Sequence, residues 1–505
     1  MTPTPHACHA AIVAGRIEEA AELLAALEQA GTDPVILRSL MAGWLMKQRR
    51  WAEALVPIDE SIARNTVDFL NWFNRAMCLW ELGRFQEAAD AYTRCLTRNA
   101  NFAQAWMKMG ATYVALERWP EALASYEMAV ALGALDPETH MGYGLILQIY
   151  GDDPSAEREF RSGLELARGR GWAERPADTR GFLGEVGLAA TLLRQGKWRE
   201  GFERFECRWL LHPHGAPWDH KNPEPWRGTP ADLDGKRVLL HAEQGFGDTM
   251  QFVRYARLVA ERAAVTYLVA QPPIQHLLAT LDVVRDGRVV IQGEALPEPE
   301  ISVSLMTLPH TFGTTLENVP DPAKFLVEPR KIRAAEFRCR NGFPSKAQCG
   351  RSDCGCEFVR IGVCWQGGSR PHDPLAHADD KRRSIPWDLF RQIVDACPSE
   401  PVSLQEEDLA EWGCRDWVDT AAIVAGLDLV ITVDTAMCHL AASLGVETWM
   451  LGRAGGCWRW LATGERTVWY PTMRIFRQKV LSDWAPTMPE VVAALKEWNS
   501  ARTTA

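Results

Sequence analysis

The sequence lacks the features that mark nucleic-acid-binding, secreted and membrane-spanning proteins. It carries 55 Lys and Arg against 65 Asp and Glu, a net charge of −10 at pH 7. This argues against a general nucleic-acid binder, which presents an excess of basic side chains to phosphates. The first residues show no basic segment followed by an apolar core, so no signal peptide is predicted. No uncharged apolar run approaches the ~20 residues of a membrane span. We expect a cytoplasmic protein.

Metal-binding patterns are also sparse. The 13 cysteines are odd in number and mostly lie in apolar or helical stretches, as reduced thiols do. Residues 339–356 gather four of them without a standard CxxC pair: Cys339, Cys349, Cys354 and Cys356. Three histidines between residues 212 and 220 have no carboxylate or thiol at a standard spacing. We therefore expect no metal cofactor, with the four thiols of 339–356 as the open alternative.

The chain of 505 residues is too long for one hydrophobic core, and its first third contains an internal repeat. An alanine recurs every 34 residues, and a bulky apolar residue follows each alanine by four positions: Ala20, Ala54, Ala88, Ala122 and Ala156, with Leu24, Ile58, Tyr92, Tyr126 and Phe160. Small residues let paired helices approach, while large ones fill the space between neighbouring pairs. The pattern resembles the tetratricopeptide repeat, in five units over residues 1–170.

Residues 171–235 continue the helical part and then depart from it. A sixth, shifted repeat-like unit is followed by a linker rich in Pro, Gly and Trp. Tetratricopeptide repeats stack into a superhelix with a concave groove. The resemblance implies that this groove recruits a protein or peptide, with a scaffold or dimer contact as the alternative.

From residue 236 the pattern changes to strands alternating with helices, which predicts a doubly wound domain over 236–338. The turn after its first strand, QGFGD, is not GxGxxG, so a nicotinamide site is not supported. Gly245 and Gly247 allow close backbone approach in this turn. Asp248 falls at the following helix start, where the helix dipole favours a carboxylate. It is either a helix cap or an unhindered general base.

A second doubly wound domain is predicted over 357–505, after the Cys-rich insertion 339–356. Its first strand runs into a turn with Gly367 and Gly368, and LDLVITVDTAMCHLAASLG reads as a buried strand feeding a helix. Thr435 is placed to cap that helix, and Gly445 to end it. Open α/β sheets bind phosphorylated ligands at such strand-to-helix turns. The alternative is an ordinary strand–turn–helix unit.

Six motifs in this order resemble the GT-B glycosyltransferases, and most closely the heptosyltransferase-like group: QGFGD, CWQGGS, RRSIPW, VSLQ, DTAMCHLA and WYPTMRIFRQ. Repeats followed by such a unit are also similar to the O-linked N-acetylglucosamine transferases and to flagellin glycosyltransferases. The implied fold class is α plus α/β, with an N-terminal α-solenoid of tetratricopeptide repeats before a GT-B pair of doubly wound, Rossmann-like domains.

The resemblance implies a metal-independent inverting glycosyltransferase that needs no cofactor besides its nucleotide-sugar donor. The acceptor is then a protein held by the repeats, and Asp248 is the base that takes its proton. The donor-binding residues implied are Gln366, Arg383, Ser384, Gln405, Asp434, Thr435 and His439. The alternative function is a protein-interaction adaptor whose second half has lost activity.

Overall fold

The computed structural model describes residues 3–64, 67–170, 179–211, 226–291, 298–329, 359–368, 380–411 and 413–503. The Cys-rich segment 339–356 and the histidines between 212 and 220 lie outside the described residues. The chain forms two compact units, Met1–Gln148 with Pro154–Gly187, and Ile149–Asp153 with Leu188–Ala505. Among the described helices, none is both long and apolar enough to cross a membrane.

The first unit is a series of helical hairpins. The helices are α1 Pro5–Val13, α2 Ile17–Gln29, α3 Pro34–Lys47, α4 Trp51–Arg64, α5 Phe69–Glu81, α6 Phe85–Arg98, α7 Ala103–Ala115, α8 Trp119–Ala131, α9 Pro137–Tyr150, α10 Asp153–Gly169 and α11 Thr179–Arg194. The five alanines of the repeat are fully buried. A side chain at Gly110 would lie 2.9 Å from the Tyr126 ring, so a small residue faces a large one as the spacing predicts.

The turn between the two helices of a hairpin has the same backbone conformation in successive repeats. Residues 34 apart adopt the left-handed conformation there, with φ of 72° at Gly15, 59° at Arg49, 73° at Gly83 and 55° at Glu117. Glycine adopts this conformation without strain, whereas Arg and Glu do so at some cost in free energy. The hairpin geometry is therefore kept even where the sequence departs from glycine.

The second unit contains two parallel sheets. The first has four strands, β1 Arg237–His241, β2 Val265–Val269, β3 Val289–Ile291 and β4 Ile301–Ser304, in the order β3-β2-β1-β4. Its helices are α13 Phe246–Phe252, α14 Ala256–Ala260, α15 Gln275–Leu278, α16 Asp282–Arg285 and α17 Leu308–Thr311. The direction of strand order reverses between β1 and β4, where Val238 pairs with Ile301.

The second sheet has five strands, β5 Ile361–Cys364, β6 Val402–Ser403, β7 Leu429–Val433, β8 Glu447–Gly452 and β9 Met473–Arg477, in the order β6-β5-β7-β8-β9. Its helices are α18 Trp387–Asp395, α19 Glu406–Glu411, α20 Trp417–Val424, α21 Ala436–Ser443 and α22 Met488–Thr503. Every residue of β7 is buried, as its β-branched run predicts. The order reverses between β5 and β7, where Val363 pairs with Ile431.

A helix from the predicted sixth repeat-like unit belongs to the core of the second unit. This helix, α12 Trp198–Phe205, stacks Trp198 on Trp469 with ring centroids 4.9 Å apart. Phe202 meets Trp458 edge to face at 5.7 Å. The segment that the sequence suggests as repeat and linker thus supplies apolar side chains to the α/β unit.

Candidate functional site

The carboxyl ends of β5 and β7 form the crevice of the second sheet. Because strand order reverses between these two strands, their following turns diverge and leave room for a ligand. Gln366, Gly367 and Gly368 follow β5, and Asp434 and Thr435 follow β7. The Gln366 side chain is exposed at this edge. The structure therefore brings these predicted donor-binding residues to one place.

Arg383 occupies this crevice. Its Nη1 donates to the Asp434 carbonyl oxygen at 2.8 Å, and its Nη2 pairs with the Asp380 carboxylate. Its Nε is buried and has no hydrogen-bond partner among the described residues. A Cβ at Gly367 would lie 2.6 Å from that Nε, so only glycine leaves room for the guanidinium. The crevice thus contains a positively charged donor with one N–H unused.

Two other predicted ligand-binding residues hold the glycine turn in place. The Ser384 hydroxyl donates to the Asp380 carbonyl oxygen at 2.6 Å and accepts from the Gly367 N–H at 3.2 Å. The Gln405 side-chain oxygen accepts from the Trp365 N–H at 3.1 Å. The Ser384 hydroxyl and the Gln405 side-chain oxygen are engaged by the protein itself, and contact with a donor stays a prediction for both residues.

The β7 turn leads into α21 as the sequence predicts. Thr435 is the N-cap, and its hydroxyl accepts from the Met437 N–H at 3.3 Å. Gly445 follows the end of the helix with φ of 77°. Burial raises the pKa of the Asp434 carboxyl, although the guanidiniums of Arg383 and Arg459 act in the opposite direction.

His439 is a buried, uncharged residue of this turn. Its side chain stacks on Trp460, and its Nδ1 lies 3.0 Å from the Tyr470 hydroxyl. Burial lowers its pKa well below 6.5, and the nearby Arg459 and Arg254 lower it further. His439 is therefore a buried, neutral group engaged by Tyr470, and its contact with a donor stays a prediction.

The glycine turn of the first sheet places Asp248 at the start of α13. One carboxylate oxygen, Oδ2, accepts from the Gly245 N–H at 2.9 Å and so closes a capping box. The other oxygen, Oδ1, pairs with the guanidinium of Arg459. The expectation of an unhindered carboxylate is wrong, because both oxygens already have a partner.

The two turns pack against each other. A Cβ added at Gly247 would lie 2.7 Å from Cδ2 of His439 and 3.4 Å from Cα of Ala436. Glycine is thus required where α13 meets α21. This close approach brings Asp248, which follows β1, beside the turn that follows β7.

Arg459, which is not among the residues predicted from the sequence, connects these two turns. It lies in the short 3₁₀ helix Trp458–Trp460 and is 8% exposed. Its Nε donates to the Gln251 side-chain oxygen at 2.8 Å, and its Nη1 donates to Cys457 Sγ at 2.9 Å. The guanidinium lies 4.4 Å from the Trp458 ring centroid. An arginine between two tryptophans was the available signal.

The equivalent crevice of the first sheet is filled by the chain itself. Arg208 donates to both oxygens of Glu243 at 2.8 and 3.0 Å, and to the Thr307 hydroxyl at 2.9 Å. Glu206 pairs with the same guanidinium, and Ser304 donates to Glu243 at 2.7 Å. These groups are buried and satisfy one another. The edge between β1 and β4 therefore has no open crevice at this network.

One described cluster could be considered for a metal ion. Donor atoms of Asp434, Cys438 and His439 lie within 4.8 Å of one another. Burial raises the pKa of the Cys438 thiol well above 9.0, and its Sγ donates to the Thr435 carbonyl oxygen at 2.9 Å. Metals bind the thiolate rather than the thiol. With a protonated thiol and nearby guanidiniums, these residues fit a metal ion poorly.

Fold and site together define a tetratricopeptide-repeat protein that also carries a unit with two parallel sheets. The sequence model of the tetratricopeptide repeat family matches residues 69–102, which contain α5 and α6. The match confirms the tetratricopeptide repeat in one of the five predicted units.

Among known proteins, the chain is similar to Protein FlbA of Caulobacter vibrioides. The two are 24% identical over 470 residues, which cover 84% of this chain and 72% of that protein. The similarity therefore extends beyond the repeats. A tetratricopeptide repeat-containing protein of Caenorhabditis elegans, trd-1, is 23% identical over 122 residues, or 24% of this chain and 16% of that protein. A solved structure of MamA from Desulfovibrio magneticus RS-1 is 17% identical, with a TM-score of 0.31, and covers 36% of this chain and 98% of that one.

Proposed function

We propose that the second unit is a metal-independent inverting glycosyltransferase of the GT-B type. It moves a sugar from a nucleotide-sugar donor to an acceptor, which is a protein recruited by the repeats. The observation that supports this most is the meeting of two strand-to-helix turns. Asp248 after β1 lies beside the turn Asp434–His439 after β7, at the edge where parallel sheets bind ligands.

Arg383 supports placing the donor on the second sheet. Its guanidinium, whose Nε–H has no hydrogen-bond partner among the described residues, lies against Gly367 at the crevice between β5 and β7. Such groups stabilise the negative charge that develops on a leaving nucleoside diphosphate. Among the described residues at the edge of the first sheet, Arg208 is instead paired with Glu243 in a buried network. The donor diphosphate is therefore assigned to Arg383 and its neighbouring turns.

Asp248 is assigned the role of general base on the opposite side. The acceptor oxygen attacks the anomeric carbon, its proton passes to the Asp248 carboxylate, and the bond to the diphosphate breaks with its electron pair on the diphosphate. Each carboxylate oxygen of Asp248 has one partner in the protein, which leaves a second lone pair for the proton. Displacement from the face opposite the leaving group inverts the anomeric configuration.

The repeats supply the reason for a protein acceptor. Their first helices expose apolar side chains at equivalent positions, such as Ile36 and Leu70, which are 34 residues apart. Repeat units of this kind present an extended surface to partners. Recruitment through these helices would raise the local concentration of an acceptor hydroxyl near the second unit.

Two substitutions test this function. Nucleoside diphosphates and nucleotide sugars are first screened by thermal shift, since a ligand of the native state raises its melting temperature. Arg383→Ala should weaken binding of the active nucleotide. Asp248→Asn keeps the capping geometry and should leave that affinity within a few fold, while transfer falls by about 10²–10⁴. Wild-type transfer by Asp248→Asn would place the base elsewhere.

Metal independence is tested by chelation. We expect turnover in excess EDTA to equal that of the untreated enzyme, because guanidiniums and backbone N–H groups offset the charge of the leaving group. Loss of turnover that manganese restores would contradict the proposed mechanism.

An inactive adaptor is the second candidate, and one observation favours it. The carboxylate assigned as the base is already paired with Arg459 and the Gly245 N–H. An adaptor would bind no nucleotide in the thermal-shift screen, and neither Asp248→Asn nor Arg383→Ala would change its binding to partner proteins.

A further inference from the structure

Arg459 is a buried cation that pairs with Asp248. Although burial alone would lower its pKa, Asp248, Cys457 and Asp434 outweigh that effect and raise it, so the guanidinium stays charged. Its guanidinium carbon lies 4.4 Å from the ring centroid of Trp458 and 5.6 Å from that of Phe252. A buried guanidinium with fixed ring contacts has little freedom to move.

The contacts of Arg459 hold one face of α13. Its Nη2 pairs with Asp248 and its Nε donates to Gln251 at 2.8 Å. These two residues are three positions apart and so lie on the same side of the helix. Gln251 is fully buried, and its oxygen is aimed at the guanidinium. A single side chain from the second sheet therefore fixes the rotation of the helix that carries Asp248.

We propose that Arg459 is a positioning residue for the transfer reaction, which acts by holding the Asp248 carboxylate toward the acceptor. This inference rests on the proposed function, since it requires Asp248 to be the base. The remaining donor of Arg459, Nη1, faces the Cys457 thiol at 2.9 Å. Its groups are thus directed to α13 and to its own loop, whereas Arg383 keeps an N–H free in the donor crevice. Arg459 acts on the base, and Arg383 on the donor.

A double-mutant cycle tests this role. Asp248→Asn, Arg459→Gln and the double variant are compared with wild type for kcat, donor KM and nucleotide affinity. We expect Arg459→Gln alone to lower kcat by about 10²-fold, within the range for general-base catalysis. Because Arg459 works through Asp248, its loss in the Asp248→Asn background should lower kcat by less than about threefold. Nucleotide affinity should stay within about threefold throughout.

Two further variants separate positioning from a structural role. Arg459→Lys keeps the positive charge near Asp248 but loses the planar group that also reaches Gln251, so its kcat should lie between those of wild type and Arg459→Gln. If Arg459→Gln fails to fold, Arg459→Lys takes its place in the cycle. Arg262→Gln removes an exposed guanidinium that pairs with Asp234 and serves as the matched control, with kcat unchanged.

Three outcomes would overturn the inference. Equal fold losses from Arg459→Gln in both backgrounds would show that Arg459 acts independently of Asp248. A rise in nucleotide Kd above tenfold would make Arg459 a donor ligand. If wild-type protein binds nucleotide but transfers no sugar, or binds none, the proposed function fails together with this role, and the wild-type control identifies that case.

Discussion

At the scale of single residues, the site combines charged groups with a histidine that is kept neutral. Arg459 and Arg254 approach His439, which is 5% exposed and bonded to Tyr470. Placing a cation there would require both burial of charge and repulsion between like charges. Burial and the guanidiniums of Arg459 and Arg254 therefore prevent His439 from becoming a further cation.

The low pKa of His439 predicts a pH dependence of stability. Between its folded pKa and about 6.5, the unfolded chain binds a proton at this residue that the folded chain does not. The contribution of neutral His439 to the free energy of unfolding is thus fully present above pH 6.5 and is lost as the pH falls toward the pKa of the folded state. One proton corresponds to about 1.4 kcal/mol per pH unit. His439→Asn, whose amide can still reach Tyr470, should lose less free energy of unfolding than wild type between pH 7 and pH 5.

Urea unfolding followed by circular dichroism at the two pH values measures this difference. The other histidines are common to both proteins and cancel in the comparison. Equal losses in the two proteins would show that His439 takes up its proton in the folded state as readily as in the unfolded one.

At the scale of elements, the contact between α13 and α21 depends on the absence of a side chain at Gly247. Gly247→Ala places a methyl group 2.7 Å from His439, whose ring is fixed between Trp460 and Tyr470. We expect destabilisation by about 1–3 kcal/mol, the usual effect of overpacking. Gly245→Ala is the matched control, since its added carbon meets only Asp248 Oδ2 at 3.4 Å. Urea midpoints that shift equally for both variants would contradict this account of the contact.

The elements themselves follow from local sequence, but their contacts do not. The hydrophobic run of β7, the Thr435 cap and the glycine after α21 are set within 20 neighbouring residues, so the strand and helix could be predicted. Arg459 meets Asp248 across 211 positions, through two sheets that must first form. The spacing of residues along the chain cannot indicate such a long-range contact. For that reason the ion pair between Arg459 and Asp248 could not be predicted.

The position of α12 was not predictable for a related reason. Trp198, Phe202 and Phe205 form an apolar face that any neighbouring core could bury. The helical pattern indicates that the face is buried but not which partner covers it. The structure gives that partner as Trp469 and Trp458 of the second unit.

At the scale of the whole molecule, this packing predicts where the chain can be cut. A fragment of residues 149–505 keeps α12 and the buried ion pair between Asp153 and Arg194. A fragment of residues 236–505 loses Trp198, and with it the cover over Trp469. Removing one buried tryptophan side chain costs about 3–5 kcal/mol. The longer fragment should unfold cooperatively by calorimetry, while the shorter one should show no cooperative transition.

The longer fragment also separates recruitment from chemistry. If 149–505 is folded, its nucleotide affinity should stay within a few fold of that of the full chain, because Arg383 and the turns around it are retained. Transfer to a protein acceptor should fall, since most of the repeats are absent. Undiminished transfer by the folded fragment would show that the repeats do not recruit the acceptor.

The Arg208 network also constrains the order in which the nascent chain can fold. A ribosome completes Arg208 well before Glu243 and Thr307, which lie 35 and 99 positions later. Until then Glu206 is the only carboxylate of this network that has been synthesised, and the guanidinium stays in water because burial with its other hydrogen bonds unmade is costly. The edge of the first sheet must therefore remain open during translation until β4 and Thr307 have emerged. The strand that completes this sheet also delivers the hydroxyl that lets Arg208 leave the solvent.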